Sequence, residues 1–412
     1  MDLQPFRQSV GLLFTRRFGT FWVASFLSNI GTWAQQVAQP WLLLSLGASP
    51  LLLGVDSFAL GGPVWLLTLV GGLLADRSDR RRVILGFQSL QMLCPIAIVV
   101  LMATGRIEPW MVVMLSLVVG VTDALSMPSF QSIVPSLVER GQIATGYALN
   151  SAQLNVSRIV GPALAGMLMA SVGALACFAL NAASYIPFIA VALWILPRPS
   201  QCVPRSKDDG FDRHHPFASA REVLRDPYLR GALLTVLCTN LMCGPLLVFV
   251  PVLVKDAFGG DVSHFSSALA AFGLGGLLGA LGLLFLDPAR DRRGIVSGFA
   301  AAFGVVLAAV ALDPWINALP ALLVAAGITM IASNTSANSL LQTFAPAHAR
   351  GQTVSLFTLA LRGGTSLGAL VTGLSVSELG VRNALLANAV LAVIFSLAIA
   401  WFWFKAPISR DR

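Results

Sequence analysis

The sequence predicts an all-α membrane protein: twelve transmembrane helices in two pseudo-symmetric six-helix bundles, with both termini cytoplasmic. Three observations predict it. Charged residues make up only 11% of the chain, against about 25% in a soluble domain, while hydrophobic residues reach 56%. Twelve apolar segments of roughly 20 residues are each long enough to cross ~30 Å of hydrocarbon as a helix. The second half also repeats the first. Asn29, Pro40, Asp76 and Arg81-Arg82 recur at one offset as Asn240, Pro251, Asp287 and Arg292-Arg293. The offset then drifts, with Arg140-Gly141-Gln142 matching Arg350-Gly351-Gln352, and Gly161, Gly166, Gly173 and Asn181 matching Gly368, Gly373, Gly380 and Asn388. The period-2 alternation of a β-barrel is missing.

The first span, 18–44, carries Asn29, Trp33 and Gln36 at i, i+4 and i+7, a polar and aromatic stripe on one face that Gln35 and Gln39 broaden. Such a stripe either lines a cavity or makes helix–helix hydrogen bonds, and four amides on one span exceed the usual packing need. The second span, 51–75, places Asp56 roughly 8 Å below the outer surface at 1.5 Å per residue. The third is 82–104. The fourth, 109–130, starts outside and carries Asp123 about 21 Å in, near the cytoplasmic side. On the fifth, 144–169, Arg158 lies at a depth similar to Asp56, so the two are candidates for an ion pair, either structural or proton-handling. The same span holds Gly161-Pro162-Ala163-Leu164-Ala165-Gly166, where proline frees a carbonyl and small residues permit close contact. The sixth, 172–196, closes an N-terminal bundle of residues 1–196.

Residues 197–227 form the only long polar stretch, with Lys207-Asp208-Asp209 and His214-His215, and read as a solvated cytoplasmic linker. The C-terminal bundle, 228–412, opens with a seventh span, 229–254, carrying Asn240 and Gly244. The eighth is 264–286 and the ninth 294–312. The tenth, 315–340, has Asn334 and Asn338 at i, i+4. The eleventh, 352–377, has Arg362 at mid-depth, suited to an anionic group on a substrate or to structural hydrogen bonding. The twelfth is 381–404. Gly275 with Gly279, and Gly364 with Gly368, have the spacing of packing positions.

Basic residues fix the orientation. The inside receives Arg7, Arg16, Arg17, Arg77, Arg80, Arg81, Arg82, Arg140, the linker, Arg290, Arg292, Arg293, Arg350 and the tail, while the outside receives Arg106, Lys255 and Arg382. The net charge of +8 is thus topological, with no basic face interleaved with aromatics for nucleic acid. Cys94, Cys177, Cys202, Cys238 and Cys243 show no metal-like pairing, and His214, His215, His264 and His348 fall in loops or near span ends. Neither a catalytic arrangement nor a phosphate-binding loop is present, so neither enzyme activity, nor a cofactor, nor a bound metal is expected.

Between spans two and three runs Gly71-Gly72-Leu73-Leu74-Ala75-Asp76-Arg77-Ser78-Asp79-Arg80-Arg81-Arg82, with a decayed copy at Asp287 to Arg293. The glycines allow two helices to approach. Asp76 lies at a helix end, where a carboxylate meets the positive N-terminus of another helix. Arg77, Arg80 and Arg81 suit carboxylates or anionic headgroups, or serve only as topology determinants. The second copy has Asp291 where Arg80 would fall, making any latch asymmetric. This loop resembles the cytoplasmic signature of the major facilitator superfamily. With Gly31-Thr32-Trp33, Pro128, Gly141 to Asn150 and Gly161-Pro162, the chain is similar to the branch containing enterobactin exporters and macrolide efflux pumps. The resemblance implies a latch between Asp76 and the start of the eleventh span near Gly351-Gln352-Thr353. It also implies a cavity lined by spans one, four, seven and ten, and efflux, because Gly161, Pro162 and Gly166 match an exporter-associated pattern with Ala165 replacing one glycine.

The expected activity is secondary active export of amphipathic small molecules, drugs or siderophores, by alternating access with proton antiport, the substrate site lying between the repeats. Asp56, Asp123 and Arg158 are the proton-coupling candidates, although for Asp123 the resemblance implies the cytoplasmic latch first. The alternatives are a lipid or nutrient transporter of the same fold, or a non-transporting sensor. A small-molecule substrate, protons and membrane lipids are the expected partners, and a monomer in the bacterial inner membrane is the expected state.

Overall fold

The computed structural model describes residues 11–67, 79–131, 133–139, 142–195, 216–283, 292–346 and 349–405. Among them there is no strand, and the chain runs through long helices in the expected order. These are α1 (Phe18–Ser45), α2 (Pro50–Gly61, its span continuing to Leu67), α3 (Arg80–Ala103), α4 (Pro109–Gln131), α5 (Ile143–Ser171) and α6 (Ala174–Ile195). They continue as α7 (Pro227–Met242, Leu246–Val252 and a π-helical turn, Leu253–Ala257), α8 (Val262–Gly282), α9 (Arg292–Leu312) and α10 (Leu319–Phe344). The last are α11 (Arg350–Thr358, a π-helical turn at Leu359–Gly363, then Gly364–Leu379) and α12 (Val381–Lys405). Ten candidate spans are long and apolar enough to cross a bilayer on composition alone. The other two, α1 and α5, are 28 and 29 residues long, and their amides and hydroxyls lower their apolarity.

Two compact units emerge from the packing, Met1–Gly47 with Pro63–Val203 and Ala48–Gly62 with Pro204–Arg412. They differ from the expected bundles, 1–196 and 228–412, in the stretch Ala48–Gly62. In the first unit the core joins Phe18, Phe21, Ile84, Ile133, Phe188 and Ala192, with the Phe188 ring 5.9 Å from Phe21 and 5.5 Å from Phe130. In the second, small residues bring backbones together. A methyl group at Gly54 would lie 2.5 Å from the Ala369 carbonyl oxygen, at Gly61 2.7 Å from Ser366 Cβ, and at Gly373 3.0 Å from the Pro50 carbonyl oxygen. Only glycine fits this seam, which is why the outer part of α2 packs on α11. Gly275 and Gly368 do the same against the carbonyls of Val324 on α10 and Leu241 on α7, as their spacing predicts.

Two features depart from regular helix. The seventh span is not one continuous α-helix: α7 is interrupted at Cys243–Pro245, where Gly244 sits beside Thr365 Oγ1 at 2.7 Å from an added Cβ. Part of the linker is also helical. Pro216–Arg225 forms a helix whose Val223 is buried with Leu341 and Ala349, against partly buried Leu356. Residues 197–215, including the two adjacent histidines, lie outside the described residues.

At the outer end of α8, Asp261 caps the helix. Its Oδ1 accepts from the amides of Ser263 (3.0 Å) and His264 (3.2 Å), and His264 Nδ1 lies 2.7 Å away. The His264 amide first, then its ring, hold the Asp261 carboxyl below its ordinary value. A depressed carboxyl contributes above its unfolded value, near pH ~3.9, and loses that contribution only as pH falls through the folded value. Hydrogen exchange at neutral pH is therefore expected to quicken at Ser263 to Phe265 in Asp261→Ala while the rest of α8 is unchanged. Replacing Gly275 by Val overpacks α8 on α10 and should cost about 1–3 kcal/mol or more in detergent unfolding. The same change at exposed Gly298, which has open space around it, should stay within about 0.5 kcal/mol.

Candidate functional site

The polar residues of α1 divide between two faces. Trp22, Phe26, Asn29, Trp33 and Gln36 follow one another at helical spacing, and all five are half-buried. The predicted stripe is therefore one continuous face, extended toward the cytoplasm by two aromatic rings stacked 5.5 Å apart. Trp22 Nε1 donates to the Leu149 carbonyl of α5 at 2.9 Å, and Asn29 Nδ2 to the Ser25 carbonyl at 2.8 Å. Gln35 and Gln39 instead point into the bundle and are buried. Asn181 of α6 donates to Gln35 Oε1 at 2.7 Å, Gln35 to Gln39 Oε1 at 3.3 Å, and Gln39 to Ser116 of α4 at 2.7 Å. Thr32 and Ser184 both reach Asn181 Oδ1 at 3.4 Å. These two amides satisfy neighbouring helices, so they do not broaden the stripe.

On α5, Arg158 is half-buried, and its guanidinium carbon lies 5.3 Å from the centre of the Trp33 ring. Gly161, one turn on, is buried where an added methyl would overlap Trp33 Cβ, so glycine sets how closely α5 approaches α1. Pro162 and Gly166 are buried, and the helix continues through the proline. Pro162 has no N–H to offer the Arg158 carbonyl, four residues back. Asp56, expected beside Arg158, is buried within the α2 segment that belongs to the second unit.

In the second unit Asn240 of α7 and Asn334 of α10 come together, Asn240 Nδ2 donating to Asn334 Oδ1 at 3.1 Å and to the Val236 carbonyl at 2.8 Å. Both are at most 2% exposed, so in this state they face each other and not solvent. Asn334 Nδ2, like Thr239 Oγ1, has no hydrogen-bond partner among the described residues. Asn338 is half-buried and accepts from Gln342 at 3.0 Å. Arg362 is half-buried in the π-helical turn of α11.

Asp123 is half-buried on α4 beside Thr122, which accepts from Gln91 of α3 at 3.1 Å. Gln91 in turn accepts from Gln88 at 2.9 Å. These α3 amides, with Asn181 and Ser116, are functional-looking polar residues that a reading by single motifs passes over. Their signal is the rarity of glutamine in an apolar span. Of the loop signature, Gly72, Asp76 and Arg77 lie outside the described residues, and for Arg80 only the backbone, at the start of α3, is described. Asp79 caps α3, accepting from the Arg81 amide at 3.0 Å. The Arg81 side chain reaches a backbone carbonyl: Nη2 donates to Leu193 O at 2.7 Å, at the negative end of α6. In the second repeat Arg293 donates likewise to the Trp403 carbonyl of α12 at 3.2 Å, its guanidinium over Tyr228 and Phe404.

The site thus offers flat aromatic faces, amide hydrogen-bonding groups and one stacked cation on a single side of α1 and α5. The two faces of α1 are separable by substitution. Asn181→Leu leaves Gln35 short of a donor in the buried network and is expected to lower unfolding stability by about 1–3 kcal/mol. Gln36→Leu, on the stripe, should stay within about 0.5 kcal/mol. Detergent denaturation of the two variants measures both.

The chain matches the family described as transmembrane secretion effector over residues 3–410. It is 26% identical over 377 residues to the multidrug efflux pump Tap of Mycolicibacterium fortuitum, covering 88% of this chain and 90% of that protein. It is 28% identical to the enterobactin exporter EntS of Salmonella typhimurium, covering 90% and 89%. The staphyloferrin A transporter of Staphylococcus aureus is 25% identical over 277 residues, 63% of this chain and 65% of that protein. The fold is shared with a bacterial homologue of the human lysosomal transporter Spinster (TM-score 0.67, 16% identity, 96% of this chain and 98% of that one). It is shared also with the nucleoside transporter NupG (TM-score 0.71, 14% identity, 95% and 100%). Helical membrane architecture, duplicated halves and a match along almost the whole length lead to one conclusion: the chain is a multi-pass transporter belonging to the transmembrane secretion effector family of the major facilitator superfamily.

Proposed function

We propose that this transporter exports amphipathic small molecules, drugs or siderophores, by alternating access coupled to proton antiport. The observation that carries this reading is the half-buried face of α1. In a helix meant only for packing, amides are consumed by neighbours, as Gln35 and Gln39 are. The series from Trp22 to Gln36 leaves aromatic faces and amides partly open on one side, and such a surface suits a solute with apolar bulk and a few polar groups. Asn338 and Arg362, both half-buried, are candidates for further contacts, and Asn240 and Asn334 for contacts in another state of the cycle. The relatives named for drug and siderophore export support the direction.

A solute that binds two states equally cannot drive their exchange, so protonation must bias them. Asp56 and Asp123 are the carboxylates at membrane depth available for this. Asp56 is buried on α2, about 200° around the helix from Gly54, where loss or gain of a charge changes the cost of its burial. Arg81, bound within its own bundle, then serves as a fixed end-cap, leaving Asp76 and Arg77 to any latch.

The test is uptake into proteoliposomes with an acidic lumen, using whichever drug or siderophore most raises the protein's melting temperature. The gradient should drive accumulation, and nigericin should abolish it. Asp56→Asn or Asp123→Asn should lower gradient-driven uptake at least about tenfold while leaving counterflow intact. Full proton-driven uptake in both variants overturns the coupling scheme. Equilibration of a labelled lipid between leaflets, with no drug uptake, favours a lipid transporter instead.

A further inference from the structure

We propose that Arg16 and Arg81 hold the phosphodiester of an anionic phospholipid at the cytoplasmic end of α6, with an acyl chain of that lipid lying along the helix. The inference goes beyond export: it assigns a bound lipid to the rim of the first unit, whatever solute the transporter moves. Three observations support it.

The first is the pair of cations. Arg16 precedes α1 and is exposed, its guanidinium carbon 4.8 Å from the centre of the Trp194 ring. Arg81, in the first turn of α3, donates from Nη2 to the carbonyl of Leu193, the residue before Trp194. Two guanidinium groups from two helices thus converge on the last turn of a third. Stacking covers one face of Arg16 and leaves its in-plane donors directed outward, while Arg81 is fixed through one of its three nitrogens. The two non-bridging oxygens of a phosphodiester match such donors, either bidentate at one guanidinium or shared between both. Asp79, which would repel a phosphate, is 19% exposed and lies 3.6 Å from Arg82 Nε, which offsets its charge.

The second is the surface below them. At 100° per residue, every exposed residue of α6 falls in one sector about 100° wide. The sector runs from Leu175 at the outer end through Ile186 to Leu193 and Trp194 and carries no charge, while the buried Asn181 and Phe188 face the opposite way. It is a strip turned to lipid, and both arginines stand at its cytoplasmic end, where the phosphate of a lipid stands relative to its acyl chains. Trp194, 56% exposed, marks the depth of the headgroup boundary.

The third is the comparison between repeats. Trp401 is related to Trp194 by the offset that relates Gly173 to Gly380 and Asn181 to Asn388. It too is exposed beneath a cation, with Lys405 Nζ 4.2 Å from the ring centre. There the other cation is withdrawn, since Arg293 is buried between Tyr228 and Phe404. The first repeat therefore presents two guanidinium groups to the interface and the second a single ammonium, which makes Lys405 an internal control.

The experiment counts lipids on the delipidated full chain by native mass spectrometry, titrating phosphatidylglycerol and phosphatidylcholine with identical acyl chains. Both carry the phosphate, but choline supplies its own cation. The wild type should bind its first phosphatidylglycerol at least about fivefold more tightly than its first phosphatidylcholine, the preference that roughly 1 kcal/mol for a basic residue at the interface provides. Arg16→Gln, at an exposed position ahead of the helix, should remove that preference while leaving phosphatidylcholine affinity within about twofold. Arg81→Lys, which keeps the charge and loses the planar fork, should retain only part of it. Lys405→Gln should leave it within about twofold. Should Arg81→Lys fail to fold, Arg16→Gln carries the test. Equal affinity of the wild type for the two lipids, an undiminished preference in Arg16→Gln, equal losses of both lipids in that variant, or as large a fall in Lys405→Gln overturns the proposal. Inorganic phosphate in excess, at constant ionic strength, should leave the bound phosphatidylglycerol in place. Displacement by it gives the arginines to free phosphate and likewise overturns the lipid site. No step of the test needs turnover, so the export reading and this site stand or fall separately.

Discussion

In hydrocarbon a polar side chain has no water to turn to, and that constraint organises the first unit of this protein. Each helix satisfies its own backbone, so the remaining cost lies with amides, hydroxyls and charges. Asn181 gathers Gln35, Thr32 and Ser184, and Gln39 completes the chain to Ser116. The network ties α1 to α4 and α6 and leaves the opposite side of α1 to different residues. The half-buried face from Trp22 to Gln36 is a separate one, and it meets α5 through Trp22 and Trp33. The same sorting explains why α1 and α5 fall below the apolarity of the other ten spans and still belong in the bilayer.

Duplication is visible in contacts as well as in letters. Arg81 and Arg293 begin the third helix of their repeats, and each donates to a carbonyl in the last turn of the sixth. Asn181 and Asn388 both cross to another helix, the latter to Thr372 at 2.8 Å. The copies diverge in their surroundings. Arg293 is enclosed by Tyr228 and Phe404, whereas the aromatic near Arg81's partner, Trp194, is covered by Arg16 at 4.8 Å. An arginine at a helix C-terminus answers the helix dipole whatever the rest of the loop does, which accounts for its survival in both copies.

The twelve spans, their order and the stripe on α1 were legible because hydrophobic length and the 3.6-residue period are local properties. Gly275, Gly368 and Gly161 were legible as close-contact positions for the same reason. What required coordinates was partnership. Nothing in the sequence says that Gln35 faces Asn181 while Gln36, its neighbour, does not, although the helical step alone separates them by about 100°. The membership of Asp56 was hidden because α2 divides between units, and glycine contacts with α11 decide it. The break at Cys243–Pro245 and the π-helical turn around Arg362 left no periodic trace, since each shifts the register by a residue or so. Val223 of the linker helix is one buried side chain, too little to stand out against the charged residues around it.

The placement of Ala48–Gly62 has a consequence for biogenesis. This stretch is made early, yet the helix that matches its glycines is the eleventh of twelve to leave the ribosome. At about 5–20 residues per second, Gly54 and Gly61 wait many seconds in the membrane without their native neighbours. Through that interval the nascent chain carries a bare groove of backbone. Late docking of α11 is thus the event that covers this glycine groove, and lipid fills the gap until then.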